Sequence, residues 1–303
     1  ATSAATSVDT SITGLDTKDF LLVMKNLDTA ESWIWVDTKR GMTKVLASDS
    51  TATETTISEI TISGSTLSIP DSVLTDGDDY LVQVYVVAEG HFDIQTYTGT
   101  GSAHTESHDL GVAPFLYVVS SRTKSGSNSG GWPTYHTGIG ATDALFLNNT
   151  DSKATTSLYW NDTEPTSSAF TISTWYTVNN SGDTYVAYLW ADSGLYKSIA
   201  YEGNASADGP FVYLDGRAQT QITKNADATG SWTQYTNAQE TNNVMDDQLL
   251  FDTNGAQTTG SEEVDIVSNG LKIRSADTAH NGSGNTIVGL AVLGQPINYS
   301  NTR

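Results

Sequence analysis

Five histidines, His91, His104, His108, His136 and His280, are the side chains here best suited to proton transfer or metal binding. His104 and His108 stand four apart with Glu106 and Asp109 beside them. On a helix that spacing would turn two imidazoles to one face for a metal. The surrounding stretch, Gly101-Ser-Ala-His-Thr-Glu-Ser-His-Asp-Leu-Gly111, is too rich in small and polar residues for a helix, so a solvated connection between strands is expected. Two oxygen-rich clusters, Asp76-Gly-Asp-Asp79 and Asp246-Asp247, offer the hard ligands of Ca2+, which takes about six to eight oxygens. Neither follows the spacing of a calcium-binding loop, and turn chemistry accounts for both. Ca2+ stays open at these clusters, and no other cofactor is expected. Cysteine is absent, which removes disulfides, thiolate metal sites and thiol nucleophiles. Nucleophile-elbow, Walker, zincin and Rossmann strings are absent too. Among 35 acids no pair of carboxylates stands out, so no catalytic residue is assigned and the chain is read as a non-enzyme.

The aromatic residues offer recognition instead of turnover, since an exposed indole can stack on a sugar ring. Trp160 and Trp175 flank the loop Asn161-Asp-Thr-Glu-Pro-Thr-Ser-Ser168 and are the candidate glycan platform. Trp33, Trp132 and Trp232 recur 99 and 100 residues apart, a repeat position that suits core anchors. Six Asn-x-Ser/Thr triplets begin at Asn148, Asn161, Asn179, Asn204, Asn281 and Asn298. An Asn- and Thr-rich chain produces them by chance, and they matter only in a host that glycosylates surface proteins.

The charge balance narrows the partners. With 14 Lys+Arg against 35 Asp+Glu the formal net charge is −21. Nucleic acids and anionic membranes are held by basic residues that displace counterions, so neither is an expected partner. No apolar run approaches the roughly 18 residues of a membrane helix, and the first residues lack a signal-peptide pattern. Acidity of this degree suits a crowded assembly or a moderately saline medium, where salt screens self-repulsion.

Short β-type runs must position these residues. Residues 20–25, 80–87, 115–119 and 184–190 read as buried strands, and 57–62 and 218–222 alternate as half-exposed strands do. Helical periodicity is nearly absent. The fold class is all-β. Landmarks recur in one order: a first strand, a tryptophan, a turn rich in Asn and Asp, then a closing strand at Tyr80, Tyr185 and Ile287. Two opening strands also match, with Tyr97 and Tyr201 followed by Gly-x-Gly-Ser-Ala and Gly-Asn-Ala-Ser-Ala. Three tandem, mutually homologous antiparallel β-sandwich-like modules of about eight strands follow, at 1–90, 91–193 and 194–303. The first lacks the opening strand, so a neighbouring module or subunit is expected to cover its edge. The polar residues 1–13 are expected to order only on a partner and to form the attachment end.

The strings Phe92–Ala103, Leu110-Gly-Val-Ala-Pro114, Tyr201–Tyr213 and Ile266–Arg274 resemble a repeat domain of structural and tail-fibre-like proteins of marine tailed phages. The similarity covers about residues 90–293, with a weaker first repeat, and the basic residue after each strand is kept as Lys25, Arg122 and Lys224. In the third copy Ala218-Gln-Thr-Gln replaces the aromatic-apolar strand of the other copies. The resemblance implies a virion structural protein, a fibre, spike or decoration, made in the host cytoplasm. Its partners would be other virion proteins, further copies of itself (a trimer favoured), and a glycan of the host surface. A carbohydrate-binding adhesin is the alternative.

Overall fold

A computed structural model of the chain describes residues 5–260 and 263–294. Its strands fall eight to each third of the chain. The first third holds β1 (Ala5–Asp9), β2 (Phe20–Asn26), β3 (Ile34–Asp37), β4 (Lys44–Val45), β5 (Thr55–Thr56), β6 (Thr61–Ser63), β7 (Thr66–Pro70) and β8 (Tyr80–Val86). The second holds β9 (Phe92–Thr98), β10 (His104–Ser107), β11 (Leu116–Ser121), β12 (Pro133–His136), β13 (Asp143–Phe146), β14 (Ala154–Thr155), β15 (Ala169–Ile172), the short helix α1 (Tyr176–Asn179) and β16 (Thr184–Trp190). The last holds β17 (Tyr196–Glu202), β18 (Phe211–Tyr213), β19 (Ala218–Asn225), β20 (Thr233–Thr236), β21 (Leu249–Leu250), β22 (Val264–Val267), β23 (Gly270–Ile273), α2 (Thr278–Asn281) and β24 (Thr286–Leu293).

Each third forms a lobe of two layers, and every strand pair is antiparallel. The main sheets run β3-β2-β8, β14-β13-β12-β11-β16-β9 and β17-β24-β19-β20-β21. In the first lobe a single bridge, Trp35 to Leu46, carries the sheet towards β4 and β5. Smaller outer sheets, β1-β7-β6, β10-β15 and β18-β23-β22, cover one face of each main sheet. The other faces meet in a single core shared by all three lobes, where Trp35 packs on Trp132 with centroids 5.1 Å apart and Trp33 stacks on Phe251 at 4.1 Å.

This layering explains the sequence pattern. In β2, Leu21 and Val23 enter the shared core while Phe20, Leu22 and Met24 enter the outer core of their own lobe. A strand apolar on both faces reads as a continuous run, although such runs are commoner in parallel sheets. The same burial overrules two expectations. Residues 218–222 lie in the middle of the third main sheet, where only Gln219 is exposed, and of the expected strand 57–62 only Thr61 and Ile62 fall in a strand, residues 57–60 forming a connection. The N-terminal arm also differs: β1 pairs in register with β7, Val8 packs on the outer core, and residues 5–9 are ordered within the chain itself. Residues 1–4 lie outside the described part.

The lobes join in a ring. Trp33 Nε1 donates to Leu250 O at 2.9 Å, Trp132 Nε1 to Ala47 O at 3.0 Å, and Trp232 Nε1 to Phe146 O at 3.0 Å. First lobe therefore bonds to third, second to first and third to second. The three basic residues repeat the cycle: Lys25 Nζ reaches Asn254 O, Arg122 Nε reaches Glu54, and Lys224 Nζ reaches Thr150 O. Backbone bonds from Gln257 to Leu27, Glu54 to Arg122 and Lys153 to Ala226 close the same three seams.

Candidate functional site

The residues singled out for chemistry are mostly built into this framework. His104 lies on β10 with Nε2 2.8 Å from Glu106. His108 is buried beyond the strand end, its ring nitrogens facing Thr166 O and Leu110 N. Four residues of extended chain separate positions by roughly 13 Å, so the two imidazoles do not converge. His136 is fully buried, with Nε2 2.9 Å from Gly289 O of the third lobe and Nδ1 accepting from Gly138 N. Burial lowers its pKa to about 4, against the weaker opposing effect of the Gly289 carbonyl. A neutral imidazole donating across a seam is a structural joint.

The carboxylates are similarly engaged. Asp37 and Arg40 are buried together at 2.5 Å, Tyr188 of the second lobe donates to Asp37, and Arg40 also reaches Glu54 at 3.1 Å. Burial pushes Glu54 up, but Arg122 and Arg40 outweigh it and hold its pKa below the usual value. This cluster joins the first and second lobes across their seam. Asp78 accepts from Asn26 and Thr29, which fixes the Asp76–Asp79 turn. Asp246 and Asp247 meet Glu240, and these three are the only group among the described residues with ligand atoms mutually within 4.8 Å. Glu240 accepts from the backbone N–H groups of Asp246 and Asp247. Those bonds brace the turn between Glu240 and Asp247.

The glycan platform is altered by the fold. Trp160 is 0% exposed, packed edge-on to Tyr117 at 4.8 Å, so it cannot meet a sugar. It shares the outer core of its lobe with Phe170, both rings packing on Tyr117. Trp175 is half-buried, stacked on Tyr176 at 4.4 Å. Trp33, Trp132 and Trp232 are all buried in the shared core. Among the described residues the exposed large aromatics are instead Phe211 (49%) and Tyr213 (63%) on β18, with Val212 between them turned inward. Gly270 stands opposite Tyr213 on β23, and a Cβ there would lie 2.1 Å from Val212 O and 3.1 Å from the Phe211 ring. The Phe-Val-Tyr alternation was readable as one aromatic face of a strand; only its exposure required the structure.

The tyrosine-glycine strings serve as latches. Tyr97 Oη donates to Val178 O in α1, and Tyr201 Oη to His280 O in α2, both at 2.7 Å. Next to them, a Cβ on Gly99 would lie 2.2 Å from Asn180 O, and one on Gly203 2.2 Å from Gly282 O. The side chains of Asn179 and Asn281 are buried against the backbone of these loops, through Thr100 N and Asn204 N respectively. Neither asparagine is open to glycosylation in this fold. Among the described residues no helix is long and apolar enough to cross a membrane.

Residues 68–296 match the domain of unknown function DUF7483, more than half of the chain, and the chain belongs to that family. No curated protein and no solved structure matches.

Proposed function

We propose that this member of the family is a non-enzymatic structural protein of a tailed-virus particle, a fibre, spike or decoration that presents loops on a rigid β framework. The observation that carries this reading is the ring of three lobes, in which each lobe donates a tryptophan N–H to the next one round. Such closure suits a part that must hold its shape. His136, the buried Asp37 and the tyrosine-glycine strings are committed to joints of that framework. The net charge of −21 suits particles that must stay dispersed. Immunogold electron microscopy with antibody to this chain, on particles from the producing culture, tests the reading. Label at fixed places on virions is expected; label on cells or in the medium with bare virions would overturn it.

A carbohydrate-binding adhesin is the second reading, and the exposed pair Phe211 and Tyr213 favours it over Trp160. Glycan-array binding that is lost in Tyr213→Ala and kept in Trp160→Phe would support it. No binding by the unmodified chain would remove it.

A further inference from the structure

We propose that the open edge of β8 takes an extended strand from another protein, carrying a tyrosine opposite Tyr80 and basic residues beside it. The second main sheet continues β11-β16-β9 and the third β19-β24-β17, while the first runs β3-β2-β8 and stops. Thus β16 and β24 are paired on both sides, and β8 pairs only with β2 among the described residues. Burial follows the pairing. Ala187 and Leu189 of β16 are fully buried, whereas Val82, Val84 and Val86 of β8 are half-buried. The bonds Leu27 N to Asp79 O and Val87 N to Asp19 O turn the odd-numbered residues towards β2. Alternation then directs the backbone groups of Tyr80, Val82, Val84 and Val86 to the open side.

The other two lobes display the kind of strand that fits. Tyr97 stands opposite Tyr185, and Tyr201 opposite Ile287, each with its hydroxyl on a carbonyl of the adjacent short helix. At the matching place beside Tyr80 is a cavity of about 200 Å3 lined by Val8, Ile69, Leu74 and Val82. An open cleft of about 500 Å3 reaches Tyr80 from the other side, against Ala238 and Gln239 of the third lobe. Space therefore lies where the occupied lobes hold a tyrosine and its strand.

Charge selects the occupant. Asp71, Asp76, Asp78 and Asp79 rim the cavity, and neither lining contains a lysine or arginine. A second copy, with −21 of its own and with β9 and β17 already held in seven-residue ladders, is a poor donor. Addition of a foreign basic strand to a free edge uses main-chain bonds for affinity and the side-chain pocket for selection.

The test uses the full chain and a labelled synthetic peptide of residues 92–103 made basic by Asp93→Lys and Thr98→Lys, the second a position whose counterpart would stand opposite Asp79. Fluorescence anisotropy is expected to show saturable binding of one peptide per chain. Tyr97→Ala in the peptide weakens it about tenfold or more, as loss of a buried aromatic anchor does. Hydrogen exchange at Tyr80, Val82, Val84 and Val86 slows when the peptide binds. Val84→Pro in the chain removes an N–H that faces the open side and should abolish binding; if that variant fails to fold, the exchange measurement on the unmodified chain decides. Absence of peptide binding, or protection of those four amides in the free monomer, would overturn the proposal. Concentration-dependent dimerisation that protects them would also overturn it, in favour of a second copy.

Discussion

Trp132→Phe perturbs one joint of the ring and asks whether the three lobes fold as one. The indole is 2% exposed, and its N–H donates to Ala47 O at 3.0 Å and to Ser50 O at 3.1 Å. Phenylalanine keeps most of the ring volume but takes a donor away from two carbonyls of the first lobe. A buried acceptor left short of a partner costs about 1–3 kcal/mol, and the missing ring atoms add about 1 kcal/mol of lost packing. The sum, about 2–4 kcal/mol, corresponds to a fall in Tm of about 4–16 °C at roughly 2–4 °C per kcal/mol for large domains. Because Trp132 belongs to a core that all three lobes share, the whole chain should melt at the lowered temperature. Differential scanning calorimetry, with near- and far-ultraviolet circular dichroism, is expected to show one coincident transition. Two transitions, one of them at the temperature of the unmodified chain, would refute the shared core; an unchanged Tm would refute the joint. Trp33→Phe and Trp232→Phe should behave alike, since each removes the equivalent bond to Leu250 O or Phe146 O.

Three further outcomes follow from other parts of the structure. His136 is held neutral in the fold with a pKa of about 4, against 6.5 when free, so only the unfolded chain takes up a proton between those values. Its stabilising contribution is complete above pH 6.5 and falls by about 3 kcal/mol as pH drops to 4; urea titrations of His136→Gln should lose that slope, and an equal slope would contradict the assignment. Gly99→Ala should destabilise by about 1–3 kcal/mol because its Cβ meets Asn180 O, whereas Gly194→Ala, with nothing within 4 Å, should stay within about 0.5 kcal/mol; equal denaturation midpoints for the two variants would be incompatible with the close approach. Raising NaCl from about 0.05 M to about 1 M should raise Tm, as the screening length shrinks to about 3 Å around a chain of −21; a fall in Tm would show that ion pairs such as Arg122–Glu54 outweigh self-repulsion.

Local pattern alone determined much about this protein. The runs at Phe20, Tyr80 and Thr184 are strands because β-branched and aromatic residues fill both faces of the chain there, and Gly, Asn and Asp end them. The recurrence of Trp33, Trp132 and Trp232 marked equivalent positions, and the absence of cysteine closed off several chemistries. What local pattern could not hold is the direction in which a side chain faces once sheets stack. Trp160 and Trp175 looked alike in sequence, but one was taken into the outer core of its lobe and the other stayed at its margin. Polar residues 218–222 read as half-exposed and became the middle of a sheet, because another layer covers each of its faces. Three tandem modules were expected from the spacing, and the structure arranges three main sheets around one core within the chain. Closure of that arrangement depends on contacts between Lys25 and Asn254, or Trp33 and Leu250, more than two hundred residues apart. Spacing can count such lobes, but only packing in three dimensions decides that they share one core, since burial is a property of neighbours that the chain order does not specify.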